Sequence, residues 1–403
     1  MRTVPKSVNA RAVNAGPAPV VASKPMQRAS LAVAIAGVLA AFTLTDPAVA
    51  QSGSSDQLVP AEKTAAAVAN RRWRVPKFSW GDPNLEGTFT SRDMSGIPMT
   101  RPKQFGNRAE MTADEYRARV EAGNGGLAAL AAGQDNTDRL QLSALDSSEV
   151  GTRVFGYTSY IIDPKDGQMP EMTPEGKARA ERARVGQSNG PYYTTADFSY
   201  YDRCITRGIT GSILPSLYGD AMRIIQSPNS VSITYEMLHD TRIIPLDGTP
   251  PADDGIRQYM GTSVGHFEGD TLVVETTGLT DKLQVGRMPH SEDLKLTERF
   301  TRIDPDMIDY EVTVDDPRTW VRPWTFRMTL TTQPNYEILE YSCHEGNIFV
   351  EHALRAEHRY QARVTEAKAN GEPIPERTTP GSGFLEIYAP PTADEAVDIN
   401  AIE

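Results

Sequence analysis

Three stretches in the last third of the chain alternate apolar and polar residues with almost no break. That period of two limits the fold more than anything else in the 403 residues. In Met307–Val314, Ile308, Tyr310, Val312 and Val314 share one parity; in Trp324–Leu330, Trp324, Phe326, Met328 and Leu330 do, with Thr325, Arg327 and Thr329 opposite. Leu294–Ile303 places Leu294, Leu296, Glu298 and Phe300 together. Successive side chains of a strand point to opposite faces, so each stretch reads as a strand with one face buried.

The stretches are joined by short turn sequences. Asp304-Pro305-Asp306 lies between Leu294–Ile303 and Met307–Val314, and Gln333-Pro334-Asn335 sets up Tyr336–Cys343 as a partner for Trp324–Leu330. Upstream, Glu268-Gly269-Asp270 links predicted strands Ile256–Phe267 and Thr271–Thr276. Ala221–Gln226 leads into a hairpin over Ser230–Gly248. Strands joined by tight turns pair antiparallel. The expected fold is mainly β, an antiparallel barrel-like sheet or two-sheet sandwich of about 9–11 strands with a few peripheral helices. A parallel α/β fold is excluded, because no crossover helices follow Gly186.

The expected organisation has five parts. Residues 1–50 form a signal peptide: Lys24 and Arg28 precede the apolar run Ala29–Thr45, and Ala48-Val49-Ala50 is a small-x-small signal for cleavage before Gln51. An uncleaved anchor is the alternative reading of that run. Residues 51–72 form a linker, 73–190 an extended and helical wrap, 191–346 the β core, and 347–403 a helix with a loose acidic tail. In the wrap, Trp73, Phe78 and Trp80 are expected to pack on the core, or to stack on carbohydrate. Thr112–Glu115 is a capping box and Thr173-Pro174 a helix start. The implied location is periplasmic or secreted.

Charge narrows the partners. Removing the five basic residues and one acid of the leader takes the net charge from −12 to about −16. So acidic a surface repels phosphate backbones and anionic membranes, so no nucleic acid and no membrane is expected as partner after cleavage. Cys204 and Cys343 are the only cysteines. They form either a disulfide, which export favours, or two buried thiols.

Candidate chemistry comes from strand parity. Val231, Ile233, Tyr235 and Met237 alternate with Ser232, Thr234 and Glu236, and the same parity carries His239 inward. Glu298 shares its face with Leu294, Leu296 and Phe300. A carboxylate there needs a partner or a raised pKa. His239 and Glu298 are therefore the expected acid/base pair, with Tyr235 and Tyr310 as hydrogen-bond donors. Arg242, Glu236 and Asp240 are expected at the rim or orienting His239. Tyr259, Trp324 and His344 join the expected substrate contacts, as does Arg257, which shares with Arg302 the alternative role of ion-pair partner to Glu298-Arg299. No motif for a metal, nucleotide or other cofactor occurs, and none is expected. Gly261-Thr262-Ser263-Val264-Gly265 matches the serine-hydrolase elbow, but strand-like sequence follows it where a helix is needed. Gly208, Gly211 and Gly219 suit Ile205–Tyr218 to act as a lid, and His344-Glu345-Gly346-Asn347 reads as a turn or a mouth cluster.

The phrases YEMLHDTRIIPLDG, GHFEGDTLVVETTGL, HSEDLKLTERFTRIDPDMIDYEVTVDDP and EYSCHEGN resemble a widespread family of exported bacterial proteins common in soil organisms. The resemblance spans about Trp80 to Glu357. It implies one exported domain and supplies no reaction. The leading expectation is an exported, cofactor-independent lyase, dehydratase or isomerase acting on a small apolar or aromatic substrate. The alternatives are a periplasmic ligand-binding or carrier protein, and a secreted hydrolase of an ester or polysaccharide.

Overall fold

A single ten-stranded antiparallel sheet organises the computed structural model, which describes residues 73–121, 153–184, 191–200, 202–216, 219–248, 255–286, 288–333 and 336–376. The expected signal segment, linker and acidic tail lie outside the described residues.

The strands are β1 (Gly87–Thr90), β2 (Ile161–Asp163), β3 (Ala221–Ser227), β4 (Ser230–Tyr235), β5 (Thr241–Pro245), β6 (Thr262–Glu268), β7 (Thr271–Thr277), β8 (Gln284–Val285), β9 (Met288–Pro289), β10 (Lys295–Asp304), β11 (Met307–Asp315) and β12 (Trp324–Thr331). The order across the sheet is β5-β4-β3-β1-β12-β11-β10-β7-β6, with β2 also paired to β12, and β8-β9 form a separate small pair. Nine antiparallel strands in a path leave the first and last pointing the same way. Those two meet through side chains. Arg242 of β5 reaches Ser263 of β6 (3.4 Å), and Ile244 packs where Gly265 has no side chain. A Cβ on Gly265 would lie 2.8 Å from Ile244 Cγ2. Among the described residues no backbone ladder joins β5 to β6. The sheet is barrel-like, with a seam held by side chains.

The alternation read in the sequence fills the interior. Ile224, Ile233, Leu272, Val274, Leu296, Phe300, Tyr310, Val312, Phe326 and Met328 are all buried. Across β10–β11 the register sets Glu298 opposite Val312 and Phe300 opposite Tyr310, so the two faces stay in phase for most of both strands. Burying one apolar face of every strand is the main stabilisation of such a sheet.

The helices are α1 (Ala113–Glu121), α2 (Pro174–Arg184), α3 (Gly208–Ile213) and α4 (Phe349–Asn370). α1 opens on the expected capping box: the Glu115 N–H donates to Thr112 Oγ1 (3.3 Å) and the Thr112 N–H to Glu115 Oε2 (2.8 Å). At α2 the Gly176 N–H donates to Thr173 Oγ1 (3.0 Å). α4 ends at Gly371 in a left-handed conformation that favours glycine.

The structure corrects several expectations. Tyr336–Cys343 is an irregular segment, because both edges of β12 are already taken, by β11 on one side and by β1 and β2 on the other. The strand expected from Ile256 begins only at Thr262. β1, placed by sequence in the wrap, completes the sheet between β3 and β12. In the wrap, Val75, Leu85 and Phe89 are buried, whereas Trp80 is exposed and stacks on Phe78 at 4.2 Å. The Gly-rich stretch after Cys204 contains the short helix α3. No helix of the described residues is long and apolar enough to cross a membrane.

Candidate functional site

Arg242 and Glu298 form a charged pair inside the barrel. On β5, Arg242 and Ile244 point inward while Ile243 is exposed, and on β10 Glu298 points inward with Leu296 and Phe300. Arg242 donates from Nη1 and Nη2 to Glu298 Oε2 and Oε1 at 2.6 and 2.9 Å, a two-pronged pair whose side chains are 3 % and 0 % exposed. The Tyr310 hydroxyl donates to Glu298 Oε1 at 2.8 Å. Arg242 Nη1 also lies 3.4 Å from Ser263 Oγ and 3.5 Å from Thr276 Oγ1, which are hydrogen-bonded to each other at 2.8 Å. The Tyr235 ring faces the guanidinium, with its centroid 5.7 Å from Cζ.

Burial alone would lower the Arg242 pKa, but the Glu298 carboxylate more than offsets this and holds it above the ordinary arginine value. Burial, reinforced by Glu298, pushes the Tyr310 hydroxyl well above its usual range. Burial also raises Tyr235, against the pull of the Arg242 charge. Both tyrosines therefore stay protonated and act as donors. Tyr310 uses its proton on Glu298. Tyr235 Oη and Arg242 Nε are both buried, on side chains that face each other.

A second polar assembly closes one end of the barrel, where the irregular turn Met237–His239, the segment Asp202–Ser216 and the segment Tyr336–Asn347 meet. Glu236 accepts the Tyr336 hydroxyl (2.6 and 2.7 Å) and the Leu339 N–H (2.9 Å). His239 Nε2 accepts the Tyr341 N–H at 3.1 Å. Thr206 donates to Asp240, whose pKa is raised by burial against that hydrogen bond. Cys204 and Cys343 form the disulfide. Among the described residues the only non-glycine side chains on left-handed backbone are Cys204, Leu238 and His239, at φ of 56°, 64° and 55°. All three are in this assembly, and such conformations persist only where surrounding contacts over-determine them. Beside it, Arg92 pairs with Asp220 at 3.1 Å, both buried, and Asp220 accepts the Thr90 hydroxyl at 3.0 Å.

The expected site residues therefore divide between two places. Tyr235, Arg242, Glu298 and Tyr310 come together inside the barrel. His239 does not join them. The strand ends at Tyr235, and left-handed turns at Leu238 and His239 break the parity and leave the imidazole exposed. Arg242 is not a rim residue but the partner of Glu298. Arg302 instead donates to the carbonyls of Asn84, Glu86 and Pro305. Arg257 is exposed, and Tyr259 is exposed with its ring 5.1 Å from that of Tyr200. Glu236 is buried at the barrel end and Asp240 is half-buried there. Trp324 lies in the closed core against Trp320. His344 is exposed in a turn closed by the Asn347 N–H on the His344 carbonyl (3.3 Å). Ser263 is followed by a hairpin, not a helix, so the hydrolase elbow is absent.

Nothing in the residue pattern points to Arg92 and Asp220, which lie outside any alternating run. Thr276 was open to detection, because it shares the parity of Leu272 and Val274. Among the described residues no group of three or more His, Cys, Asp or Glu side chains could hold a metal ion. The fold and site define a mainly antiparallel, barrel-like protein with a charged pair in its interior. Compared with known families, with curated proteins and with solved structures, the chain matches none.

Proposed function

We propose that this is an exported small-molecule-binding protein whose ligand occupies the barrel beside Arg242, Glu298 and Tyr235. The observation that carries this reading is the buried ion pair. Withdrawing two charges from water costs several kcal/mol per ion, and an apolar filling of similar volume is often as stable or more so. A pair kept at that cost in a largely apolar barrel supports a role in orienting a polar group. The disulfide and the leader sequence support export. The lyase or isomerase chemistry expected from the sequence needs His239 and Glu298 in one cavity. Their separation, and the commitment of Glu298 to Arg242 and Tyr310, favour binding over acid/base work within the barrel.

A second reading keeps catalysis but moves it to the barrel end. Its support is the left-handed backbone at His239, beside Asp240. One experiment bears on both. The neutral fluorophore N-phenyl-1-naphthylamine is titrated into the wild type and into His239→Ala. Saturable binding at one site, unchanged in the variant, is expected for the barrel reading. Binding lost in the folded variant would move the site to the barrel end. No saturable binding to either protein would remove the barrel reading.

A further inference from the structure

Of the four tryptophans only Trp80 is exposed, at 39 %; Trp320 and Trp324 are buried and Trp73 is half-buried. A single apolar side chain at a surface is ordinary and by itself signals nothing. Trp80 differs in being immobilised. Its indole N–H donates to Asp82 Oδ2 at 3.1 Å, and one face of the ring lies on Phe78, with centroids 4.2 Å and planes 6° apart. The surface it still shows to water therefore belongs to the opposite face and the edges.

The chain around it holds that ring in place. Lys77 and Pro83 pair antiparallel, and the Phe78 N–H donates to the Asp82 carbonyl and the Gly81 N–H to the Phe78 carbonyl, both at 2.9 Å. Gly81 closes the tip at a φ of 104°, a conformation that favours glycine. Val75 and Leu85 are buried on either side of the loop. Gln226 of β3 donates to the Pro83 carbonyl at 3.0 Å, so the base of the loop is tied to the sheet. The result is a stack of two rings presented at the tip of an anchored hairpin. A ligand that lands on a ring already fixed costs little further side-chain freedom.

The border of the ring selects the ligand. Ser79, Gly81 and Asp82 flank Trp80, and Lys77 is paired with Asp270 at 3.6 Å. The platform is thus one indole wide with a polar rim, too small to seat an apolar protein surface. Nucleic-acid bases also stack on tryptophan, but such sites follow the phosphates with basic groups. Here the group touching the indole is a carboxylate, the lysine is already paired, and the chain carries a net charge of −12. A neutral pyranose fits better. Its C–H hydrogens, made electropositive by the attached oxygens, meet the electron-rich face of the indole. β-Linked glucose keeps every ring hydroxyl equatorial, so the ring offers flat C–H faces while its hydroxyls point outward, where the Asp82 carboxylate can accept from them.

We propose that Trp80, backed by Phe78 and held by Asp82, is a surface platform for a neutral polysaccharide of β-linked glucose units. This does not depend on the barrel-binding reading. The test is native electrophoresis of the purified protein through gels containing hydroxyethylcellulose or its anionic counterpart carboxymethylcellulose, with circular dichroism to show that each variant is folded. Hydroxyethylcellulose should retard the wild type, and carboxymethylcellulose should retard it less. Trp80→Ala should lower the apparent association constant about tenfold or more, the loss typical of a central aromatic anchor. Trp80→Tyr restores a flat ring and should recover part of that loss. No retardation of the wild type, or equal retardation of wild type and Trp80→Ala, would overturn the inference. Trp80→Tyr as weak as Trp80→Ala would overturn the stacking role. Stronger retardation by carboxymethylcellulose, or binding of oligothymidylate in place of the glucan, would overturn the choice of a neutral sugar.

Discussion

At the scale of single residues, the pair between Arg242 and Glu298 makes the sharpest demand on the fold. Glu298→Ala leaves a guanidinium buried among apolar side chains with its carboxylate gone. The expected loss is about 3–5 kcal/mol in urea unfolding, read from the midpoint with the slope unchanged. Arg242→Met combined with Glu298→Leu removes both charges at similar volume, and should be near neutral or more stable than the wild type by about 1–4 kcal/mol. A double variant as unstable as the single one would show that the two charges do not compensate each other. Parity made the inward position of Glu298 legible, because nothing interrupts the alternation between Leu294 and Phe300. Its partner was not legible, since Arg242 lies 56 residues away and only the curl of the sheet brings them together. His239 failed for the opposite reason. The alternation of β4 stops at Tyr235, and two left-handed residues, Leu238 and His239, reset the direction of the side chain. No propensity of Leu238 signals that conformation.

At the scale of elements, the strands that were read best are those that pair with their sequence neighbours. β10 and β11 need only the turn Asp304-Pro305-Asp306, and the alternation of each confirms the other. Tyr336–Cys343, expected as a strand partner of β12, forms no strand. Glu236 captures the Tyr336 hydroxyl and the Leu339 N–H, and the edges of β12 are occupied. Local pattern cannot report that a pairing edge is already filled. The β10–β11 turn also carries a pH dependence. Burial, together with the neighbouring Asp306, raises the Asp304 carboxyl to about 6. Burial opposes a low value at Asp306, but the hydrogen bond from Arg153 holds it below the ordinary aspartate value. An unfolded aspartate releases its proton near 3.9. Between about pH 4 and 6 the folded protein therefore retains a proton that the unfolded chain has lost. The contribution of Asp304 to stability is full below that window and declines as pH rises through it. Asp304→Asn should flatten that part of the stability–pH curve. The check is the unfolding free energy of both proteins from pH 4 to 7.5. Identical slopes below pH 6 would exclude Asp304 as their source.

At the scale of the whole molecule, the number of strands settles how the sheet can close. Nine antiparallel strands bring β5 and β6 together in the same direction, and in place of a ladder the structure sets side chains of one against the other. Gly265 is the position that permits this approach. A methyl group there would meet Ile244 Cγ2 at 2.8 Å, Leu246 Cδ2 at 3.2 Å and the Val273 carbonyl at 3.3 Å. Gly265→Ala should therefore destabilise the protein by about 1–3 kcal/mol, the usual cost of overfilling a packed contact. The backbone of Gly265 lies outside the left-handed region, so the cost reports crowding and not a lost conformation. Ile244→Ala introduced together with Gly265→Ala opens space for the added methyl. The pair should be more stable than the sum of the two single changes by about 0.5 kcal/mol or more, the range found for residues in contact. Strict additivity would mean that β5 and β6 stand apart in solution. The sheet would then be an open one, and Arg242 would have no closed interior in which to hold Glu298.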